Sequence, residues 1–138
     1  MNIAIIGGAG FVGNRLSKRL ENEKISHTIF DISNLKESHE YADVTNIESL
    51  DSIKNADIII NLAAVHRDDI RPISLYDDIN VKGAQNICDA AEKHSINKII
   101  FTSSVAIYGF APVNTDEDGE PNYFNDYGRT KYLAEQVF

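Results

Sequence analysis

Three polar side chains in the second half of the sequence have the types and spacing for acid–base chemistry on a hydroxyl group. Tyr127 and Lys131 are four residues apart, which places both on one face of a last helix predicted to begin near Tyr127. A phenol has an unperturbed pKa of ~10, and lowering it by ~3 units requires ~4 kcal/mol of stabilisation of the phenolate. A nearby ammonium group supplies stabilisation of this kind. Tyr127 is therefore predicted to be a base and Lys131 its activator.

Ser104 is the third candidate. It follows a buried apolar run, Lys98–Thr102, so it is predicted to lie at the carboxyl edge of a sheet, where it could hydrogen-bond a substrate oxygen. Tyrosine and lysine also meet at this spacing by chance on solvated helices. The serine at a strand end, together with a glycine-rich loop near the N-terminus, favours the catalytic interpretation.

The glycine-rich loop joins a predicted strand, Asn2–Ile6, to a predicted helix. Gly7 permits a tight turn, Gly10 lets the backbone approach a pyrophosphate, and Gly13 lets the helix pack closely on its strand. The free N–H groups and the positive end of the helix dipole would face the anion. The apolar helical positions are Val12, Leu16 and Leu20. The pattern predicts a dinucleotide-binding cradle.

A second predicted strand, His27–Phe30, ends in Asp31, eighteen residues after Gly13. A carboxylate there can accept hydrogen bonds from the adenosine ribose hydroxyls and would repel a 2′-phosphate, so the sequence predicts NAD(H) rather than NADP(H). The alternative is that the glycines form an ordinary turn and that Asp31 merely ends an edge strand.

Strands and helices alternate along the remaining chain. This alternation predicts an α/β fold, a Rossmann-like doubly wound parallel sheet with its ligand outside the carboxyl ends of the strands. Gly83 lies inside the longest predicted helix and indicates close packing or ligand approach. The predicted elements are a polar connection Ile32–Tyr41, a short third strand ended by Asp43 and Val44, a helix Ile47–Ile53, a strand Asp57–Ala64, a loop Val65–Leu75, a helix from about Tyr76 to His94 and a strand Lys98–Thr102.

Length and composition indicate a single dinucleotide-binding domain over residues 1–138. The net charge of −8 argues against a non-specific nucleic-acid binder and against an anionic membrane surface. No apolar run approaches the ~18 residues of a membrane span, and the chain is interpreted as cytosolic. The single Cys88 is predicted to be a small buried residue rather than a reactive thiol. Because the last predicted helix is uncapped at Phe138, we expect further strands and a substrate domain to follow.

The sequence resembles the extended short-chain dehydrogenase/reductases, and within them the NAD-dependent epimerase/dehydratase family typified by UDP-glucose 4-epimerase. The motifs that carry this resemblance are Gly7-x-x-Gly10-x-x-Gly13, Asn61-Leu62-Ala63-Ala64, Asn80-Val81-x-Gly83, Phe101-Thr102-Ser103-Ser104, Ile107-Tyr108-Gly109 and Tyr127-Gly128-Arg129-Thr130-Lys131. A narrower similarity, to bacterial polysaccharide-locus 4-epimerases acting on N-acetylhexosamines, rests on Val65–Ile70, Ser74–Tyr76 and Phe101–Gly109.

The resemblance implies specific roles. Asp43 and Val44 would bracket the adenine, Asn80 would hold the loop on the cofactor side, and Lys131 would bind the nicotinamide ribose. Tyr127 would be the base and Ser104 would polarise the substrate oxygen. The predicted cofactor-binding residues are Gly7, Gly10, Phe11, Val12, Gly13, Asp31, Asp43, Val44, Leu62, Ala63, Ala64, Asn80, Thr102, Tyr127 and Lys131.

Two features narrow the expected chemistry. Sugar-nucleotide 4,6-dehydratases carry an Asp-Glu pair directly after the catalytic hydroxyl, where this sequence has Val105 and Ala106, so dehydration is disfavoured. The charged run His66–Asp69 could hold a metal, but such side chains on a loop are more often solvated or ion-paired, and no metal is predicted.

The predicted function is an NAD-dependent epimerase acting on C4 of a nucleotide- or polyprenyl-diphosphate-linked hexose. Tyr127 would take the hydroxyl proton while C4 loses a hydride, and return of the hydride to the opposite face of the 4-keto sugar would invert the carbon. The alternatives are a sugar-nucleotide 4-reductase or dehydrogenase of the same family and a non-catalytic dinucleotide-binding sensor. A homodimer is a further expectation, because this family often pairs through its long helices.

Overall fold

A parallel sheet of five strands forms the centre of the protein. The computed structural model describes residues 1–33 and 36–138. The strands are β1 (Asn2–Ile6), β2 (Ser26–Asp31), β3 (His39–Tyr41), β4 (Ile58–Asn61) and β5 (Ile99–Phe101). Their order across the sheet is β3-β2-β1-β4-β5, and every neighbouring pair is parallel. The α/β, doubly wound architecture predicted from the sequence is confirmed.

Helices cover both faces of the sheet at β1 and β4, which is why these two strands are largely apolar, whereas Ile100 of β5 is 53% exposed. One face, represented by Ile5, packs against helix α1 (Phe11–Asn22) through Leu20. The other face, represented by Ile59, packs against the 3₁₀ helix Ile47–Asn55 and helix α3 (Gly83–Lys93). Ile5 and Ile59 are completely inaccessible to solvent. The strands β1 and β4 are therefore packed from both sides.

The third strand differs from the prediction. It is β3, His39–Tyr41, within the segment predicted as a polar connection, whereas Asp43 and Val44 lie beyond it. An edge strand needs hydrogen bonds from one neighbour only, so three residues without an apolar run can form it. Of the predicted connection Ile32–Tyr41, Asn34 and Leu35 lie outside the described residues. Strands β4 and β5 are also shorter than predicted, so Leu62–Ala64 leave the sheet and become available to the site.

The helices also differ in detail from the prediction. The short amphipathic helix is a 3₁₀ helix, Ile47–Asn55. The predicted long helix starts two residues early and is interrupted: α2 (Ser74–Tyr76) leads into a π-helical turn (Asp77–Lys82) and then into α3. Such π turns are rare and often occur at functional sites, and hydrophobic periodicity does not reveal them. The last helix, α4 (Asp126–Val137), begins where it was predicted.

Three further expectations can be compared with the structure. A Cβ at Gly83 would lie 2.8 Å from Cγ2 of Val44, which confirms close packing there. Cys88 is half-buried, and burial raises the pKa of its thiol, as expected for a packed rather than a reactive cysteine. Within the described part of the chain, none of the helices combines the length and apolar character that crossing a bilayer requires.

The conformation of the glycine-rich loop between β1 and α1 requires glycine at particular positions, because a side chain there would be strained or would overlap the backbone. Gly7 has a φ of +75°, a conformation that favours glycine, which confirms its role in the tight turn. A Cβ at Gly13 would overlap the backbone of Gly8, so the helix packs on the turn itself rather than on the strand. At Gly10 the nearest atom to an added Cβ is the Gly7 carbonyl oxygen at 3.4 Å, which leaves more room.

We predict that Gly13→Ala lowers the free energy of unfolding of the complete protein by about 1–3 kcal/mol, because the added methyl group must displace backbone. The matched control Gly10→Ala should cost under about 1 kcal/mol. Urea unfolding followed by circular dichroism measures both values. Equal losses in the two variants would contradict the proposed packing of Gly13 on the turn.

Candidate functional site

A cavity of about 590 Å³ lies at the carboxyl ends of the parallel strands. It runs from the glycine-rich loop to the first turns of α4. Every predicted cofactor-binding residue except Asn80 lines it, and of the predicted catalytic residues Tyr127 and Lys131 line it whereas Ser104 does not. The fold therefore brings together residues that are 120 positions apart in the chain, such as Gly7 and Tyr127.

Sequence reasoning missed several residues of this cavity. They are Ile6, Ile32, Ala42, Val65, His66, Ile79 and Ser103. Most are apolar and have no chemical signature, but each directly precedes or follows a predicted residue or continues such a run. His66 is exposed and was considered only as part of the charged loop. These residues could have been found from their position next to predicted site residues, most of which lie at strand ends, rather than from their residue type.

The end of the cavity at the glycine-rich loop suits an anion. Gly10 caps α1 without a side-chain hydrogen bond, and the first turn of α1 contains no acidic residue. The N–H groups and the positive end of the helix dipole therefore meet no competing side chain there. This arrangement is compatible with a pyrophosphate.

Asp31 stands beside this loop with its carboxylate fixed. Its Oδ2 accepts a hydrogen bond from the backbone N–H of Ala9 at 3.0 Å, and its Oδ1 accepts two, from the N–H groups of Ile32 at 2.8 Å and Ser33 at 3.3 Å. A carboxylate oxygen has two lone pairs, so Oδ2 can accept a second hydrogen bond. The carboxylate is thus held in place while it keeps the capacity to accept bonds from ribose hydroxyls.

The helix that carries Tyr127 is fixed by a cap and by a close contact. The Asn125 side-chain oxygen accepts a hydrogen bond from the N–H of Gly128 at 2.8 Å, which caps α4. A Cβ at Gly128 would overlap the carbonyl oxygen of Ala106, so glycine is needed for the helix to approach the 3₁₀ turn Val105–Ile107. Tyr127, half-buried in the first helical turn, is held between these two contacts.

Lys131 has an unusual environment for a lysine. Its side chain is almost fully buried, with only 2% of the residue exposed. Its Nζ donates a hydrogen bond to the carbonyl oxygen of Thr102 and lies 3.9 Å from the centre of the Phe101 ring. Burial lowers the pKa of Lys131 to about 8, against a smaller opposing effect from Glu135. A positive charge in such surroundings acts more strongly on a neighbouring group than one in water.

Ser104 lies beside the cavity rather than in its wall. Its Oγ accepts a hydrogen bond from the backbone N–H of Ala106 at 3.1 Å and so caps the 3₁₀ turn Val105–Ile107. A hydroxyl that accepts in this way keeps its proton for another bond. Its role toward a substrate oxygen stays a prediction, while the adjacent Ser103 is the serine that lines the cavity.

Asn80 lies behind the wall, on the π-helical turn, and is only 5% exposed. Its side-chain oxygen accepts from the N–H of Val65 at 2.8 Å, and its Nδ2 donates to the carbonyl of Val65 at 3.0 Å. Nδ2 also donates to Oγ1 of Thr130 on α4 at 2.9 Å. Asn80 therefore contacts the loop that it was expected to hold, and in addition joins that loop to the helix of Tyr127.

The charged loop after β4 is engaged in polar contacts. Arg67 donates two hydrogen bonds to Asp69, at 3.0 and 2.6 Å, and this pair lowers the pKa of the Asp69 carboxyl. Asp68 accepts a hydrogen bond from Nδ2 of Asn125 at 3.0 Å. The ion-paired interpretation of this run is confirmed for Arg67 and Asp69.

Comparison with known proteins identifies related sequences and folds. The family described as "NAD dependent epimerase/dehydratase family" matches residues 3–138. The chain is 42% identical, over 99% of its length and 42% of the relative, to N-acetyl-alpha-D-glucosaminyl-diphospho-ditrans,octacis-undecaprenol 4-epimerase of Escherichia coli O157:H7. The chain thus spans less than half the length of this relative.

Two solved structures share the fold. UDP-glucose 4-epimerase from Brucella ovis in complex with NAD has a TM-score of 0.88 and 27% identity, covering 99% of this chain and 46% of that one. MoeE5 in complex with UDP-glucuronic acid and NAD has a TM-score of 0.88 and 25% identity, covering 99% of this chain and 48% of that one.

The buried Lys131 should make stability depend on pH. Its pKa is about 8 in the folded protein and ~10.4 in an unfolded chain, so between these values the unfolded state binds more protons and stability rises with pH. From pH 7 to pH 9.5 the complete protein should gain about 2 kcal/mol relative to Lys131→Met. Urea unfolding at both pH values measures this difference.

The control for this measurement is Lys18→Met, which removes an exposed lysine from α1. Its stability should differ from that of the wild type by the same amount at both pH values, because an exposed lysine has similar surroundings in the folded and unfolded chains. A Lys131→Met difference that stays constant between pH 7 and pH 9.5 would contradict the depressed pKa.

Proposed function

This chain belongs to the NAD-dependent epimerase/dehydratase family, and from that premise we propose that the complete protein is an NAD-dependent sugar epimerase. It inverts C4 of a nucleotide- or polyprenyl-diphosphate-linked (N-acetyl)hexose through a 4-keto intermediate. The observation that carries the proposal is the single cavity that runs from the glycine-rich loop to Tyr127 and the buried ammonium of Lys131.

The residues of the cavity fit NAD. The N-terminus of α1, which has no side-chain cap, would hold the pyrophosphate. Asp31 would accept hydrogen bonds from the adenosine ribose. Asp43 and Val44 would bracket the adenine, and Lys131 would bind the nicotinamide ribose. When bound, NAD supplies hydride acceptance and donation at its nicotinamide ring.

The protein residues would handle the hydroxyl proton. Tyr127 accepts the proton of the C4 hydroxyl and later returns it to the 4-keto oxygen. The Lys131 ammonium stabilises the tyrosinate form by its charge, and its bond to the Thr102 carbonyl keeps the ammonium in place. Ser104, whose Oγ is fixed by Ala106, donates a hydrogen bond to the substrate oxygen. Val105 and Ala106 offer no side-chain acid or base, which supports epimerisation rather than loss of water.

The relatives support the choice of substrate class. The 42% identical relative is named for N-acetylglucosaminyl-diphospho-undecaprenol, a lipid-linked sugar, and MoeE5 was solved with UDP-glucuronic acid. Both ligands are sugars on a diphosphate. We propose the polyprenyl-linked N-acetylhexosamine first and the UDP-linked sugar second, and that the complete protein works in the cytoplasm as a homodimer paired through its long helices.

A direct assay distinguishes these substrates. The complete protein is incubated with NAD and either N-acetylglucosaminyl-diphospho-undecaprenol or UDP-N-acetylglucosamine, and the sugar released by mild acid is identified by chromatography. We expect the C4 epimer, N-acetylgalactosamine, to form from the lipid-linked substrate at the higher rate. Formation of no epimer from either substrate would contradict the proposed activity.

The side chain of Asp31 should determine cofactor preference. We predict tighter binding of NAD(H) than of NADP(H), because the carboxylate would face the 2′-phosphate. Asp31→Ala should narrow the ratio of the two dissociation constants by about tenfold, equivalent to ~1.4 kcal/mol. Calorimetry on the complete protein measures both affinities. The control Asp57→Ala removes a carboxylate at the amino-terminal ends of the strands, away from the cavity. It should leave the ratio of the two dissociation constants unchanged. Equal affinity of the wild type for both cofactors would remove Asp31 from this role.

Loss of the Tyr127 hydroxyl should abolish most turnover while leaving cofactor binding intact. In Tyr127→Phe the ring still packs and only the ionisable oxygen is lost, so we predict that kcat falls by about a hundredfold or more and that the NAD dissociation constant stays within about twofold. Ser104→Ala should cost less, because it removes the hydrogen bond to the substrate and the cap of the 3₁₀ turn but leaves the base in place. The matched control is Tyr132→Phe, on the same helix, which should keep wild-type turnover. A Tyr127→Phe protein with near-normal kcat would exclude Tyr127 as the base.

A further inference from the structure

The outer side of the helix α4 carries an ion pair that the proposed chemistry does not use. We propose that Arg129 and Asp77 are positioning residues, which hold the first turn of α4, and with it Tyr127, at the cavity. This proposal rests on the proposed function, because it assigns the pair a role in the turnover by Tyr127.

The guanidinium of Arg129 joins two elements of the site. Its Nη1 and Nη2 donate hydrogen bonds to the two carboxylate oxygens of Asp77, at 2.9 and 2.7 Å. Its Nε donates to Asp126 at 3.1 Å. Asp126 directly precedes Tyr127, and Asp77 is the first residue of the π-helical turn. One side chain therefore ties the start of α4 to that turn.

The ion pair is bidentate and partly shielded from solvent. The Arg129 side chain is only 28% exposed and that of Asp77 41%. The paired geometry, two parallel N–H···O bonds between charged groups, gives direction as well as energy. In line with this, the guanidinium lowers the pKa of the Asp77 carboxyl, and hydrogen bonding to Asp77 raises the pKa of Arg129.

The π-helical turn is itself connected to the cavity wall. Asn80 on this turn holds the backbone of Val65 through two hydrogen bonds and contacts Thr130 of α4 through a third. Helix α4 is thus attached to the turn at two neighbouring positions, Thr130 on the buried side and Arg129 on the outer side. These two attachments add to the Lys131–Thr102 bond and the Gly128–Ala106 contact, and the Arg129–Asp77 pair is the one that acts directly on the first turn from the side of the π-helical turn.

The Arg129–Asp77 pair should matter differently for the two ends of the cavity, the glycine-rich loop and Tyr127. Most of the predicted cofactor-binding residues, among them the glycine-rich loop between β1 and α1, lie on elements that the ion pair does not touch, and Lys131 of α4 is held separately by Thr102, so cofactor binding should depend little on Arg129. Tyr127 lies in the turn that Arg129 holds, so turnover should depend on it. A displacement of about 1 Å at a catalytic group can cost a hundredfold in rate.

The same π-helical turn provides a matched control. Lys82 and Asp78 form an ion pair at 2.6 Å, four residues apart on that turn, and the Lys82 side chain is 72% exposed. This pair stays within its own turn, and in residues 1–33 and 36–138 neither partner has an ion pair with α4. Lys82→Gln removes one positive charge from the same element, as Arg129→Gln removes one from α4, but it leaves the attachment of α4 intact.

The experiment measures kcat, KM and the NAD dissociation constant of the complete protein and its variants, starting from a wild type with demonstrated epimerase activity. We expect Arg129→Gln and Asp77→Asn each to lower kcat by about ten- to a hundredfold, with KM and NAD affinity within about twofold of the wild type. The double variant should be no slower than either single one, because both remove the same contact. Arg129→Lys should recover part of the loss, and Lys82→Gln should behave as wild type.

Several outcomes would overturn the positioning role. One is an unchanged kcat in Arg129→Gln or Asp77→Asn, and another is a loss of kcat matched by an equal loss of NAD affinity, which indicates general disruption. Additive losses in the double variant would show that the two residues act separately. If Arg129→Gln does not fold, Asp77→Asn, which nearly preserves size, carries the same comparison. A wild type without epimerase activity refutes the proposed function instead.

Discussion

Burial of the Lys131 ammonium beside the Thr102 carbonyl is the interaction on which the candidate site depends. Taking a charge out of water is costly, so the position is tolerable only because the carbonyl oxygen and the Phe101 ring face the ammonium. This contact brings α4 against the end of β5. Tyr127, one helical turn earlier, is thereby placed at the cavity. The buried ammonium of Lys131 is costly for the stability of the fold, but it supplies the positive charge that a Tyr127 phenolate would need.

The site also requires that its residues meet in one place, and the parallel sheet provides this by bringing the carboxyl ends of its strands to the same edge. Since all strands run in the same direction, the loops that follow β1, β2, β4 and β5 emerge together. The anion-binding end, with the N-terminus of α1 and Asp31, and the acid–base end, with Tyr127 and Lys131, become parts of one cavity. Asn80 and Arg129 then attach α4, which carries the acid–base end, to the π-helical turn.

Much of this arrangement could be predicted from the sequence, because glycine spacing, apolar runs and strand-end polar residues directly reflect the physics of a doubly wound sheet. Three features could not. The edge strand β3 has no apolar run, because it is paired on one side only. The π-helical turn keeps the hydrophobic periodicity of an α-helix, so the sequence does not distinguish the two. The capping role of Ser104 and the position of Asn80 behind the wall depend on side-chain directions, which residue spacing does not determine.

In the proposed reaction, Tyr127 moves a proton at the oxygen of C4 while the hydrogen on C4 never exchanges with water. The most direct test uses N-acetylglucosaminyl-diphospho-undecaprenol deuterated at C4, converted in ordinary water by the complete protein with NAD, and analysed by mass spectrometry of the released sugar. We expect the inverted sugar to keep its deuterium at C4. Replacement of that deuterium by solvent hydrogen would show that C4 is deprotonated at carbon, and would contradict the proposed chemistry.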